Sequence, residues 1–223
     1  MKRSHLVSLS LLALPVLTVP FLTQAKAEKA VPVAVKPLPK GIGGVWNLDP
    51  MHSRIGFAIQ HVMINDVHGS FNDFSGTVNV DEKDISRSKV EFAAKMDSVD
   101  TNVAPRDAHL KSTDFFDVAK YPEMTFKSKH VARYGSGFRV MGTFSMHGVS
   151  RDIVIPFTAQ GPVKDGFGNV RAAVKADFSI NRLDYGVKWN QKLDNGGMAL
   201  DNEVRIELDL EATKAGTEPK KTA

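Results

Sequence analysis

The chain has 223 residues, 42% of them hydrophobic and 24% charged, with no cysteine and a formal charge of +4. This is the composition of an ordinary globular protein, long enough to bury a sizeable core. Without cysteine there are no disulfides, thiolate metal sites, cysteine nucleophiles or lipidated N-terminal cysteine.

The first element is a targeting segment. Lys2 and Arg3 precede an apolar run from Leu6 to Leu22, and Ala25-Lys26-Ala27 follows. A charged start, an apolar middle and a small-x-small exit describe a secretory signal peptide over residues 1–27. Pro15 and Pro20 argue against its retention as a membrane anchor. Cleavage removes Lys2, Arg3 and Lys26 but no acid, so +4 falls to +1. The basicity therefore belongs to the targeting segment, and electrostatic capture of nucleic acid is not expected. Residues 28–44 (EKAVPVAVKPLPKGIGG) hold three prolines and no helical period, which reads as an extended linker. Residues 213–223 (TKAGTEPKKTA) read as a polar tail. The block between them, 45–212, has no composition break and no repeat.

That block reads as strands. Ile55, Phe57, Ile59 and His61 share one parity, and Arg54, Gly56, Ala58 and Gln60 the other, which puts one set on each side of a strand. From Val67 to Val80 the apolar phase jumps between Phe71 and Phe74, the mark of a bulge. Alternation resumes at Val90, Phe92, Ala94 and Met96. The stretch from Val103 to Phe116 breaks the pattern; Pro105 suits a first helical turn, and a short helix or two turns is expected there. Alternation returns in the runs from Met124 to Ser128, Phe138 to Met146, Val149 to Phe157, Val170 to Ile180 and Val204 to Leu210. The total is about eight strands. Short links rich in turn residues, at Asn65-Asp66, Gly135-Ser136-Gly137, Asp165-Gly166 and Gly168-Asn169, make the neighbours antiparallel.

An all-β meander with one apolar face can close into a barrel, which removes its exposed edges. Ala94, Ser98, Gly142, Ala159, Ala172 and Ala176 are small residues at inward parity, which leaves room for a ligand among large neighbours. The same alternation also suits a filled sandwich, and periodicity alone leaves the two open.

The histidines His5, His52, His61, His68, His109, His130 and His147 form no H-x-H, H-x-x-x-H or H-E-x-x-H motif. His52 and His61 are nine apart, so an unbroken strand would place them on opposite faces. No metal or cofactor is expected. There is no G-x-S-x-G elbow, Rossmann fingerprint or phosphate loop, and no enzymatic activity is expected. His109 with Asp107, Asp114 and Asp117 could pair histidine and carboxylate, or belong to a capped helix with solvated charges. His61, Arg106-Asp107 and Arg182-x-Asp184-Tyr185-Gly186 are the polar groups suited to a ligand's head, or else ion pairs that pin loops.

Taken in order, WNLDPMHSRIGFAIQH (46–61), VHGSFNDFSGTV (67–78) and SVDTNVAPRDAHLKSTDFFDVAKYPEMTF (98–126) resemble the YceI-like family of bacterial secreted proteins. GTFSMHGVSRDIVIPF (142–157) and INRLDYGV (180–187) continue the resemblance. It implies an antiparallel, eight-stranded, lipocalin-like barrel in the periplasm, whose lumen holds a polyisoprenoid or isoprenoid quinone. On the alternating inner face, Phe57, Ile59, Met96, Phe126, Phe144, Phe157 and Phe178 are expected to line that lumen, with His61, Arg106 and Arg182 nearer its mouth. The family's L-T-x-x-G-V-T strand reads FSMHGVS here, which puts His147 at a usually uncharged position. Contact with the inner membrane or a membrane protein through the linker, a homodimer, and an acid–base role for His61 or His109 on the bound lipid stay open.

Overall fold

The computed structural model describes residues 38–217, in which eleven strand segments form one antiparallel sheet. The expected signal peptide, residues 28–37 of the linker and residues 218–223 of the tail lie outside the described residues. β1 (Gly44–Leu48) and β2 (Arg54–His61) follow one line, both paired with β11 (Leu200–Lys214): Leu48 sits opposite Ala212 and Arg54 opposite Asp209. β3 (Asn65–Phe71) and β4 (Phe74–Val80) make a second line against them. β5 (Lys89–Lys95) and β6 (Val99–Asp100) make a third. β7 (Glu123–Tyr134), β8 (Gly137–Met146), β9 (Val149–Lys164) and β10 (Val170–Asn181) each run as one element. With the interrupted lines joined, eight strands follow one another round a closed ring, and β11 completes it against β1 and β2. The all-β class and the eight-stranded antiparallel barrel agree with the sequence reading.

The interruptions have local causes. Asp49 accepts from Met51 N at 3.0 Å and caps a turn at Pro50–His52, which parts β1 from β2. His52 is therefore off the strand, and the parity argument separating it from His61 does not apply. The jump between Phe71 and Phe74 is real: two residues loop out, and both rings stay buried. Asn65-Asp66 is not a turn but the start of β3; the hairpin turns at Val62, Met63 and Ile64, where Ile64 N donates to His61 O at 3.2 Å. Val62 (φ 46°) and Met63 (φ 64°) both adopt the left-handed conformation, which this tight turn normally assigns to Asn-Gly. The double substitution Val62→Asn with Met63→Gly should stabilise the fold by about 1 kcal/mol, read as a higher urea midpoint. An unchanged or lower midpoint would mean that the native side chains offset the strain.

One end of the ring carries the hairpin tip at 62–64, α1 (Ala104–Lys111), the His147-Gly148 turn and the loop 182–199; it is called here the helix end. α1 falls inside the expected Val103–Phe116 stretch. Its start has no side-chain cap, and its first turn is tied instead to Thr101, 4% exposed, through the side chains of Arg106 and Asp107. Asp107 Oδ1 accepts from Thr101 N at 2.9 Å, and Arg106 donates to Thr101 Oγ1 and to its carbonyl, both at 2.7 Å. His147 (φ 51°) occupies a hairpin turn; its Nδ1 donates to the Tyr185 carbonyl at 3.0 Å and its ring packs on Tyr121. That pins two loops of the helix end together.

The terminal end holds residues 38–43 and the loops after β4, β7 and β9. Lys214 Nζ donates to the Gly41 carbonyl at 2.7 Å, and Trp46, buried, donates to Ile42 O at 2.7 Å. The last residues of the expected linker are thus packed on the barrel. Nor is Lys214 loose tail, since β11 runs through it. Here Arg171 gathers three carboxylates: Asp49 and Asp165 at 2.7 Å, Glu211 at 2.5 Å. Arg171, then Asn169, holds the Asp165 carboxyl far below the usual range. Burial would raise Asp49, but bonds from Arg171, His52 and the Met51 N–H bring it below its ordinary value too. Carboxyls lowered in the fold contribute stability above their unfolded pKa near 3.9, and that stability drains away as pH falls through the folded values. Melting temperature should therefore fall more steeply below about pH 4 in the native protein than in Arg171→Met. Parallel slopes would show that the cluster does not couple folding to pH.

Candidate functional site

The barrel is hollow. Phe92, Phe144, Phe157, Phe178 and Leu208 face inward, yet each stays partly exposed, and the space they are exposed to is the lumen. It forms a cavity of about 530 Å³, within the range of ligand pockets. It runs from Leu38 and Ile42 at the terminal end to His61, Arg106 and Trp189 at the helix end. Two buried clusters hold the wall: Ile55, Phe71, Phe74 and Met124 toward the helix end, and Val131, Val140 and Ile155 beyond them. The filled-sandwich alternative does not describe this molecule.

Alternation places the lining. Phe57, Ile59 and His61 follow one another on the inner side of β2 and all border the cavity. Phe126 faces Phe144 across β7 and β8, Phe157 lies opposite Ala176, and Phe178 opposite Ile206; these four rings line it too. Arg106 and Arg182 complete the expected set at the helix end.

Met96 is the exception. β5 ends at Lys95, and Met96 begins a turn whose N–H donates to the Pro122 carbonyl at 2.9 Å. It is 0% exposed, packed in the wall rather than on the lumen. Among the small residues, Ala159, Ala172 and Ala176 border the cavity, whereas Ala94 and Ser98 do not. Gly142 serves its neighbour: a Cβ there would lie 2.5 Å from the tip of the Phe126 ring, so the missing side chain makes room for that ring.

The helix end gathers most of the cavity's polar lining: His61, Thr101, Arg106, His109 and Arg182. His61 is exposed at the rim, paired with Asn65 and Leu200. His109 Nε2 lies 2.9 Å from Asp114 Oδ2, while its ring meets Phe115 and Trp189 edge-on at 5.0 and 5.1 Å. The aromatic corner of Phe115 and Trp189 was missed from sequence, because neither residue lies in an alternating run. Arg182 does not pair with Asp184, which meets Arg151 at 3.5 Å. Burial lowers the Arg182 pKa from its usual value, against a smaller opposing pull from Asp201.

Among the described residues, one group could offer three metal ligands within 4.8 Å of one another: Asp49, His52 and Glu211. The Arg171 guanidinium already lies on both of those carboxylates, which supplies the positive charge a metal would bring. No described helix is long and apolar enough to cross a membrane.

The YceI-like domain family matches residues 46–212. A UPF0312 protein of Pectobacterium atrosepticum is 38% identical over 164 residues, covering 74% of this chain and 83% of its own. Among solved structures, BcnA of Burkholderia cenocepacia superposes with a TM-score of 0.66 at 22% identity, over 74% of this chain and 99% of that one. A polyisoprenoid-binding domain from Saccharophagus degradans, implicated in plant cell wall breakdown, superposes with a TM-score of 0.58 at 16% identity, over 76% and 98%.

Proposed function

The chain belongs to the YceI-like family, and on that premise we propose that it is a secreted, periplasmic protein that sequesters or carries a long-chain apolar lipid, a polyisoprenoid or isoprenoid quinone, in its lumen. One observation carries the reading: a continuous apolar inner face whose large side chains are left partly exposed to the lumen. A protein gains nothing by keeping that surface open unless something apolar covers it. The polyisoprenoid-binding neighbour supports the choice of cargo.

Phe57, Ile59, Phe126, Phe144, Phe157 and Phe178 take the chain, and His61, Arg106 and Arg182 the head. Burial yields roughly 0.8 kcal/mol per CH₂, so an isoprene unit adds about 3 kcal/mol before ordering and association costs are subtracted. Several units bind well without any charged group along the tail. Mass spectrometry of small molecules extracted from protein purified natively from its host's periplasm tests the proposal. A stoichiometric long-chain isoprenoid is expected; a stable protein that comes out empty would overturn it.

A further inference from the structure

Arg182 is 3% exposed and borders the cavity. Its Nε donates to the Asp201 carbonyl at 2.7 Å, and Nη1 donates to the carbonyls of Val187 at 2.9 Å and Trp189 at 2.8 Å. A guanidinium has five N–H groups, and these contacts use three of them. Nη2 is buried with no hydrogen-bond partner, the only such side-chain atom among the described residues. A buried donor left unmade is costly, and more so on a charged group.

Its surroundings share the same bias. Arg106 supplies a second guanidinium to this end of the lumen. The only acid bordering the cavity among the described residues, Glu91, sits on β5 and pairs with Lys127 at 3.1 Å. The backbone carbonyls of 187, 189 and 201 are already engaged by Arg182 itself. The corner therefore offers donors and positive charge, and each of its three nearby carbonyls already accepts one bond from Arg182.

We propose that the Arg182 guanidinium is the recognition point for the head of the bound lipid, which reaches the covered Nη2 by displacing the side chains between it and the lumen, and that it selects a head presenting a bare acceptor oxygen: a carbonyl, carboxylate or phosphate. This rests on the lumen reading above and adds the head-group class to it. An alcohol can accept from Nη2 too, but it must also bury its own proton, with only carbonyls already bonded to Arg182 beside it, so it binds less well. A hydrocarbon leaves Nη2 as it is.

The test uses the full mature protein and one geranylgeranyl tail carrying a methyl, alcohol, methyl ketone, carboxylate or phosphate head, each displacing a fluorescent apolar probe. The ketone and the anions should bind about tenfold or more tightly than the hydrocarbon, with the alcohol between them. Anions above the ketone would identify an acidic head as the natural class; equal binding of ketone and anions would identify a neutral carbonyl. Arg182→Lys keeps the charge and donors for the carbonyls but leaves no amino group over, so the head preference should collapse while the hydrocarbon still binds. Should that variant not fold, arginine-labelled ¹⁵N NMR of the native protein decides: Arg182 side-chain signals should shift with ketone or acid and not with hydrocarbon. Equal affinity for every head, or unmoved Arg182 signals, overturns this proposal alone. Failure of every tail to bind overturns the lumen reading and this one with it.

Discussion

Ala176→Phe should empty the barrel of long lipids without unfolding it. Ala176 faces the lumen on β10, between Phe157 of β9 and Leu208 of β11, and borders the cavity. Ala176 is 9% exposed and belongs to one buried cluster with Val131, Val140 and Ile155, so a phenyl ring must extend past them into the lumen; overpacking should cost about 1–3 kcal/mol and be partly offset by the ring's own burial. A long tail, however, must pass this point to reach the terminal end. Each isoprene unit shut out forfeits about 3 kcal/mol gross, so losing two or more raises Kd by at least about a hundredfold.

Ala172→Phe sharpens the test. It lies on the same face four residues toward the terminal end, about 13 Å along the strand. A chain entering from the helix end should reach further in this variant before it is stopped. The longest isoprenoid bound should therefore rank native protein first, Ala172→Phe second and Ala176→Phe last, with unchanged far-UV circular dichroism throughout. Full-length lipid retained by Ala176→Phe would show that the chain does not run through this lumen. The reverse ranking of the two variants would place entry at the terminal end.

The sequence carried the lining well wherever a strand was long and regular. Along β2, β7, β8, β10 and β11, period-two alternation alone put Phe57, Phe126, Phe144, Phe178 and Leu208 on the inner face, because one buried side fixes the register. It failed where backbone contacts took over. Met96 keeps the apparent phase of β5, but the chain turns one residue earlier to meet the Pro122 carbonyl, and no side chain announces that. The hairpin at 62–64 was misplaced because Val-Met carries no turn chemistry, while the Asn65-Asp66 beside it does. The hollow interior was not decidable from alternation, since a filled and an open barrel share it; only the family resemblance pointed to one of them. Trp189 and the loop that brings it against His109 have no periodicity at all.

Arg182→Met is expected to be the most damaging single change at the helix end, costing about 3 kcal/mol or more. The sequence suggested an ion pair with Asp184 or a ligand contact; the side chain instead ties together the backbone at 187, 189 and 201. Methionine fills much of the volume and removes every donor, so three carbonyls lose their partner in or near the interior, at about 1 kcal/mol or more each. Against a typical total of about 5–15 kcal/mol this is a large fraction. Arg106→Met makes the contrast, because Thr101 keeps its bonds to Asp107 when that arginine goes; about 1–2 kcal/mol is expected there. Urea unfolding compares the two, and hydrogen exchange locates the damage, which should fall on residues 182–200 in Arg182→Met and on α1 in Arg106→Met. A loss below about 1 kcal/mol for Arg182→Met would mean that water or a rearranged loop satisfies those carbonyls. Nη2 would then have no rigid frame to hold it in place, and the case for a fixed head-group contact would weaken with it.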